Sequence, residues 1–209
     1  MLGTIKRTAV AVTVAGVVAL GGAAAASAGT ATVTSGGSVA ATMRLVFSGT
    51  VPLNCTSSTV AATVASGSYI GTPALVSGDV QLGINSCAGP MSIPYLFSCT
   101  NTAQLGITGD TVGAVTPAVL RNVSCVMSMP AIGCTATLSG SVGASYSNAG
   151  TVTVIAPAGQ SLAISGSGCP GFIPNGPVVV GSPGAGSTSV TNLTYVLGAV
   201  KPQIAASGF

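Results

Sequence analysis

Glycine and proline break almost every window of a dozen residues in this chain, which holds 30 glycines and 12 prolines. Outside the N-terminal segment, no stretch sustains the apolar period of a helix. What survives between the breakers is alternation. Thr151-Val152-Thr153-Val154, Ser161-Leu162-Ala163-Ile164-Ser165 and Asn192-Leu193-Thr194-Tyr195-Val196 each set apolar side chains on one face and small or polar ones on the other, the period of a half-buried strand. Further strands are predicted near Val39–Phe47, Thr59–Val64, Val80–Ile84, Ile93–Ser98, Val119–Val123 and Cys134–Ser139. Ser147-Asn148-Ala149-Gly150 suits a hairpin, because Asn and Gly tolerate positive φ, and Gly181–Ser187 reads as an exposed loop. Many short strands with Gly/Pro turns predict an all-β sandwich or barrel-like domain. A single merged sandwich is the expected form, since two separate cores of under about 100 residues would each be marginal.

The N-terminus reads as a cleaved secretory signal peptide over residues 1–28: Lys6 and Arg7, an uncharged apolar stretch from Thr8 to Leu20, then Ala26-Ser27-Ala28 with small residues at the cleavage positions. The apolar stretch falls short of the roughly 20 residues of a membrane span. The secreted all-β domain is then 29–209, and no cysteine precedes Cys55 to carry a lipid at the new N-terminus.

Six cysteines, Cys55, Cys87, Cys99, Cys125, Cys134 and Cys169, in a chain addressed to an oxidising space predict three disulfides out of fifteen pairings. Cys55-Thr56-Ser57-Ser58-Thr59-Val60 is echoed by Cys134-Thr135-Ala136-Thr137-Leu138, and Cys87-Ala88-Gly89-Pro90 by Cys169-Pro170-Gly171-Phe172, at comparable intervals. An internal duplication, with pseudo-repeat halves of about 41–110 and 111–200, gives Cys55–Cys87 and Cys134–Cys169 and leaves Cys99 with Cys125. The chain has no His and no CxxC spacing, so a zinc shell is not expected.

The string from Cys55 to Val60, with Asn85-Ser86-Cys87-Ala88-Gly89-Pro90 after it, resembles a group of small secreted actinobacterial proteins of uncharacterised function. Cys134–Thr137, Tyr146-Ser147-Asn148 and Gly168-Cys169-Pro170-Gly171-Phe172 are similar to the second half of that group. The resemblance implies export and a β-rich, disulfide-bonded fold, and no activity. Cys99 and Cys125 stand outside its pattern.

Charge excludes more than it assigns. After residue 28 only Arg44, Asp79, Asp110, Arg121 and Lys201 are ionised at neutral pH. Scattered cations make no stripe for phosphates, so no nucleic-acid partner is expected. Without His or Glu, Ser-His-Asp and Cys-His catalysis are impossible. Asp79 and Asp110 could form a carboxylate pair, but each follows a glycine and reads as a turn residue. Gly166-Ser167-Gly168-Cys169-Pro170-Gly171 matches GxGxxG, yet Pro170 and Pro174 oppose the helix that motif must open; a turn beside a disulfide is expected. Met127-Ser128-Met129 offers sulfur to Cu(I), but reads as core filling. The sequons at Asn54, Asn122 and Asn192 arise readily in so Ser/Thr-rich a chain. Tyr69, Tyr95, Tyr146 and Tyr195 read as core-edge residues with hydroxyls in water.

The expectation is therefore a non-catalytic secreted or cell-envelope protein without metal or cofactor. It would act by adhesion, by assembly with wall components or by self-association, because a nearly uncharged surface resists association poorly. The alternatives are a β-barrel channel in an outer lipid layer, or a soluble carrier of an apolar small ligand.

Overall fold

The computed structural model describes residues 28–48, 52–183 and 190–209. The expected signal peptide lies outside them, save Ala28, as does the part of the expected Gly181–Ser187 loop beyond Pro183. Within the described residues the protein is almost wholly strand, interrupted by two short 3-10 turns at Pro90–Ser92 and Pro130–Ile132. The strands are β1 (Gly29–Val33), β2 (Gly37–Ser48), β3 (Leu53–Val64), β4 (Gly67–Gly71), β5 (Ala74–Ala88), β6 (Pro94–Cys99), β7 (Ala103–Ile107) and β8 (Val115–Met129). They continue with β9 (Cys134–Ser147), β10 (Thr151–Val154), β11 (Leu162–Ser165), β12 (Gly176–Pro183), β13 (Val190–Thr191), β14 (Leu193–Val196) and β15 (Ile204–Ser207).

Pairing closes on itself. β2 pairs with β3 and β3 with β5; β5 pairs with β6 and β7, which both pair with β8; β8 pairs with β9. β9 pairs with β10 and β11, β11 with β12, and β12 returns to β2. All these ladders are antiparallel. β6 and β7 form one interrupted stave, β10 and β11 another; β14 pairs with β10 and meets β2 through Gly198 N–H donating to the Ala40 carbonyl at 3.4 Å. The result is an eight-stranded closed barrel. Of the two architectures the alternation allowed, the expected sandwich gives way to the barrel, because β12 ladders back onto the C-terminal end of β2, while beside the rest of β2 the ring is completed by β14 through the Gly198–Ala40 bond without a ladder.

The expected halves each supply four neighbouring staves, β2 to β7 and β8 to β14, with Cys55 and Cys134 on the second stave of each. Neither half closes alone, so the core is single. Long strands coil by bulges. At the β8 bulge Asn122 has φ 56°, and the ladder resumes with Val123 opposite Gly140. A Cβ on Gly140 would sit 2.1 Å from the Ser161 carbonyl, so only glycine lets β9 approach the neighbouring stave so closely.

Alternation sorts the faces throughout. On β9 the buried set is Cys134, Ala136, Leu138, Val142, Ala144 and Tyr146, while Thr135, Thr137, Ser139, Ser141, Ser145 and Ser147 point outward. Hydroxyl pairs such as Thr153–Thr194, at 3.3 Å, lace the outer surface.

A three-stranded sheet, in the order β15-β1-β4, lies where β2 begins, β3 turns into β5 and β14 ends. It caps that end of the barrel. The outer side of β15 is sealed by side chains: Asn148 exchanges two hydrogen bonds with Ile204, Ala206 N–H donates to Thr111 Oγ1 at 2.8 Å, and Phe209 N–H to Asp110 Oδ1 at 3.0 Å. At the far end sit two disulfides, Cys55–Cys87 and Cys134–Cys169, while Cys99–Cys125 joins β6 to β8. All six cysteines pair as the internal similarity predicted.

Candidate functional site

The alternation that builds the barrel decides what lines its lumen. Toward the capped end, four inward positions are alanine: Ala41, Ala62, Ala118 and Ala144, the last two being direct cross-strand partners. Small side chains there leave a cavity of about 100 Å3. Its walls are otherwise aliphatic apart from the rings of Tyr146 and Tyr195, and its roof is Leu197, Pro202 and Ile204 from the chain that follows β14 and enters β15. Toward the disulfide end Phe47, Leu82, Ile84, Leu138 and Leu193 surround a second cavity of about 80 Å3. Val60, Leu120, Val142, Val154 and Tyr195 line both, so the two chambers adjoin. Below them Phe47 stacks on Phe97, centroids 5.4 Å apart, with Met127 and Met129 buried alongside. The Met-Ser-Met motif is core, as expected.

Three tyrosines depart from the expectation of wet hydroxyls. Tyr95, Tyr146 and Tyr195 are buried, and each hydroxyl is bonded within the protein. Tyr95 donates to the Phe172 carbonyl at 3.3 Å, and Tyr146 donates to the Pro202 carbonyl at 2.6 Å. Tyr195 meets Ser58 Oγ at 3.0 Å. The barrel curls the faces carrying them inward, where an unbonded hydroxyl would be costly. Only Tyr69, bonded to the Ala65 carbonyl, stands at an edge. Parity in the sequence held the signal, for Tyr195 shares the face of Leu193, and Ser58 that of Val60 and Ala62.

Burial raises the pKa of Tyr95, Tyr146 and Tyr195 above the ordinary 10.0; for Tyr195 the Ser58 hydrogen bond opposes that rise. Above pH 10 the unfolded chain therefore releases phenolic protons that the folded protein retains, and unfolding gains. Below that pH both states keep them and these groups contribute no slope. With no His or Glu to titrate, the urea midpoint is expected to stay level between about pH 5 and 9 and to fall progressively above about pH 10. A midpoint falling before pH 9 would contradict this.

Asp79 and Asp110 do not meet in the lumen. Asp79 is exposed at an irregularity of β5 rather than in the expected turn, because the extra residues between Ser77 and Val80 are absorbed inside the strand. Asp110, in the β7–β8 connection, holds the C-terminal segment through Phe209. Arg121 Nε and Asn122 Nδ2 both donate to Gln104 Oε1 at 3.1 Å on the barrel wall. Gly166–Gly171 forms a turn, with Phe172 N–H bonded to the Cys169 carbonyl, and opens no helix. Asn192 Oδ1 accepts from Ala156 N–H, which gives that sequon a structural use. Among the described residues no cluster of His, Cys, Asp or Glu could hold a metal ion. No family model, curated protein or solved structure matches the chain.

Proposed function

We propose that the mature protein is a secreted, non-catalytic barrel that carries a small apolar molecule in its lumen. One observation carries the reading: two adjoining chambers whose shared and separate walls are almost entirely hydrocarbon. An eight-stranded barrel has room either to fill itself with side chains or to hold one small ligand, and the inward alanines favour the second use. Size narrows the cargo. A dry apolar cavity of about 150 Å3 takes benzene or xenon, whereas pockets for drug-sized molecules begin near 300 Å3. Chambers of about 100 and 80 Å3 each fall short of that size, and it is together, across the walls they share, that they suit one ring or a short branched chain; an acyl lipid is too large.

Benzene in excess is expected to raise the unfolding midpoint of the mature, disulfide-bonded protein, the unfolding free energy rising by about 1.4 kcal/mol at roughly ten times the dissociation constant of benzene. Ala118→Leu is expected to abolish that rise by occupying the larger chamber, while leaving stability unchanged or about 1 kcal/mol higher. A midpoint indifferent to benzene and xenon would overturn the reading.

The channel alternative asks for the reverse polarity. Several strands are long enough to span, β5 and β8 having 15 residues each, but spanning barrels turn apolar residues outward. A second reading, assembly within an envelope, is favoured by Ile70 and Val112, about three-quarters exposed at the capped end of a surface with few charges. Concentration-dependent sedimentation would support it, and a monomer at high concentration would remove it.

A further inference from the structure

We infer that a second copy of this chain pairs on the outer edge of β4, so that two capping sheets join about a two-fold axis into one continuous sheet. The inference rests on the assembly reading, not on the carrier reading, and gives it a seam, a register and a stopping point.

Hydrogen bonds within the cap fix which way the edge faces. Thr34 N–H donates to the Gln203 carbonyl at 3.0 Å, and the ladder runs on in the same register from Val33 opposite Ile204 to Thr30 opposite Ser207. Bonded and unbonded pairs alternate along an antiparallel ladder, so Thr30 and Thr32 turn their backbone groups toward β15. Ala31 and Val33 therefore turn theirs toward β4, where they face Tyr69 and Gly67. The N–H and C=O groups of Ser68 and Ile70 are left pointing away from the cap. The hydroxyls of Ser68 and Thr32 meet at 3.5 Å on the outer face, the close approach of an unbonded pair. Ser68 and Ile70 are both exposed, and among the described residues no group bonds their backbone on that side.

The two edges of the cap differ. On β15 the outward N–H and C=O of Ile204 are both taken by the Asn148 side chain, and those of Ala206 by Thr111. β4 has none of the devices that blunt a strand edge: Gly67-Ser68-Tyr69-Ile70-Gly71 holds no charge and no proline, and its register with β1 is unbroken. A sheet open at one edge and sealed at the other adds one neighbour and stops. Two-fold pairing of the open edges leaves a sealed β15 at each end, which is closed association.

The occupant is a second copy because β4 is complementary to itself. With Tyr69 on the axis opposite its counterpart, Ser68 of each copy lies opposite Ile70 of the other, and each such pair exchanges both of its N–H···O=C bonds. The two Ile70 side chains then stand diagonally across the seam on one face, within reach of each other. That covers a residue otherwise 73% exposed. Charge does not oppose the contact: after residue 28, three cations stand against two carboxylates, and none lies in the sequence between Arg44 and Asp79. So short a seam buries less than the roughly 1,200 Å2 of a standard interface, which makes the dimer a weak one.

The test is sedimentation equilibrium of the mature, disulfide-bonded protein from micromolar to millimolar concentration, with amide hydrogen exchange read by NMR at both ends of that range. Sedimentation is repeated on Ile70→Lys and Val112→Lys. A monomer–dimer equilibrium without larger species is expected. At the high end the Ser68 and Ile70 amides should exchange about two-fold more slowly or better, while the Tyr69 amide, already bonded to β1, should not change. Ile70→Lys sets like charges across the seam and is expected to weaken dimerisation by about ten-fold or more. Val112 is as exposed as Ile70 but follows Thr111 on the sealed side, and Val112→Lys should change dimerisation less than about three-fold. Association that survives Ile70→Lys, or that leaves the Ser68 and Ile70 amides unprotected, would overturn the edge and leave the assembly reading standing. Loss of association in Val112→Lys would place the contact elsewhere on the cap and overturn the edge too. Growth beyond the dimer would overturn the two-fold stop. A monomer throughout would bring down the assembly reading with it.

Discussion

Replacing Cys134 and Cys169 together by alanine is expected to lower the unfolding free energy by about 4 kcal/mol, and removing all three disulfides is expected to leave the chain unfolded at 25 °C. The loops closed span 32, 26 and 35 residues. On the chain-entropy model, loops of that size each restrict the unfolded state by about 3 to 4 kcal/mol. A domain of ordinary stability has only about 5 to 15 kcal/mol in total, so three such losses exhaust it. The bonds do different structural work. Cys55–Cys87 and Cys99–Cys125 join residues that already face each other in ladders. Cys134–Cys169 instead ties the β11–β12 connection to β9, and that connection brings Ile173, 1% exposed, into the core. Besides the bond, the tether consists of Gly168 N–H to the Thr135 carbonyl and Tyr95 to the Phe172 carbonyl. Urea unfolding of the three paired-alanine variants should therefore rank Cys134–Cys169 as the costliest loss. An unaltered midpoint in that variant would show that the loop holds itself.

The same residues show how far the sequence could be read. Alternation at Thr151–Val154 and Leu193–Val196 was sufficient to give strands, because period-2 burial is a local property. The internal echo of Cys55 and Cys134 gave the pairing, because the corresponding strands occupy equivalent staves. Closure was not legible. Whether β12 returns to β2 depends on a contact between residues 46–48 and 179–181, far apart in the chain and without a local signature. The depth of the tyrosines was missed for that reason, since only closure turns the face of Tyr146 and Tyr195 into an enclosed lumen. The chamber itself was readable only in part: Ala41, Ala62, Ala118 and Ala144 are unremarkable alanines until the ladders bring Ala118 opposite Ala144 and the ring places all four around one space. Asp79 was misread because a glycine before an aspartate marks a bulge as readily as a turn.

Val142→Lys is expected to unfold the protein, or to cost about 5 kcal/mol if the barrel survives, whereas Thr135→Lys on the same strand is expected to stay within about 0.5 kcal/mol. Val142 is 6% exposed and lines both chambers, so an ammonium there has no water and no counter-ion. Thr135 is exposed on the outer face of β9, where a lysine reaches solvent and adds charge to a surface short of it. The pair of variants also decides between architectures of use. In a barrel built to sit in lipid, Thr135, the second residue of β9, would lie near an interface, where an outward lysine costs only about 0 to 1 kcal/mol, while lumen positions tolerate polar residues. The lumen position therefore decides, with Thr135→Lys as the control for a lysine on the same strand. Circular dichroism and urea midpoints of the two refolded variants read the difference directly: a Val142→Lys tolerated as well as Thr135→Lys would overturn the carrier reading in favour of a barrel with a polar lumen.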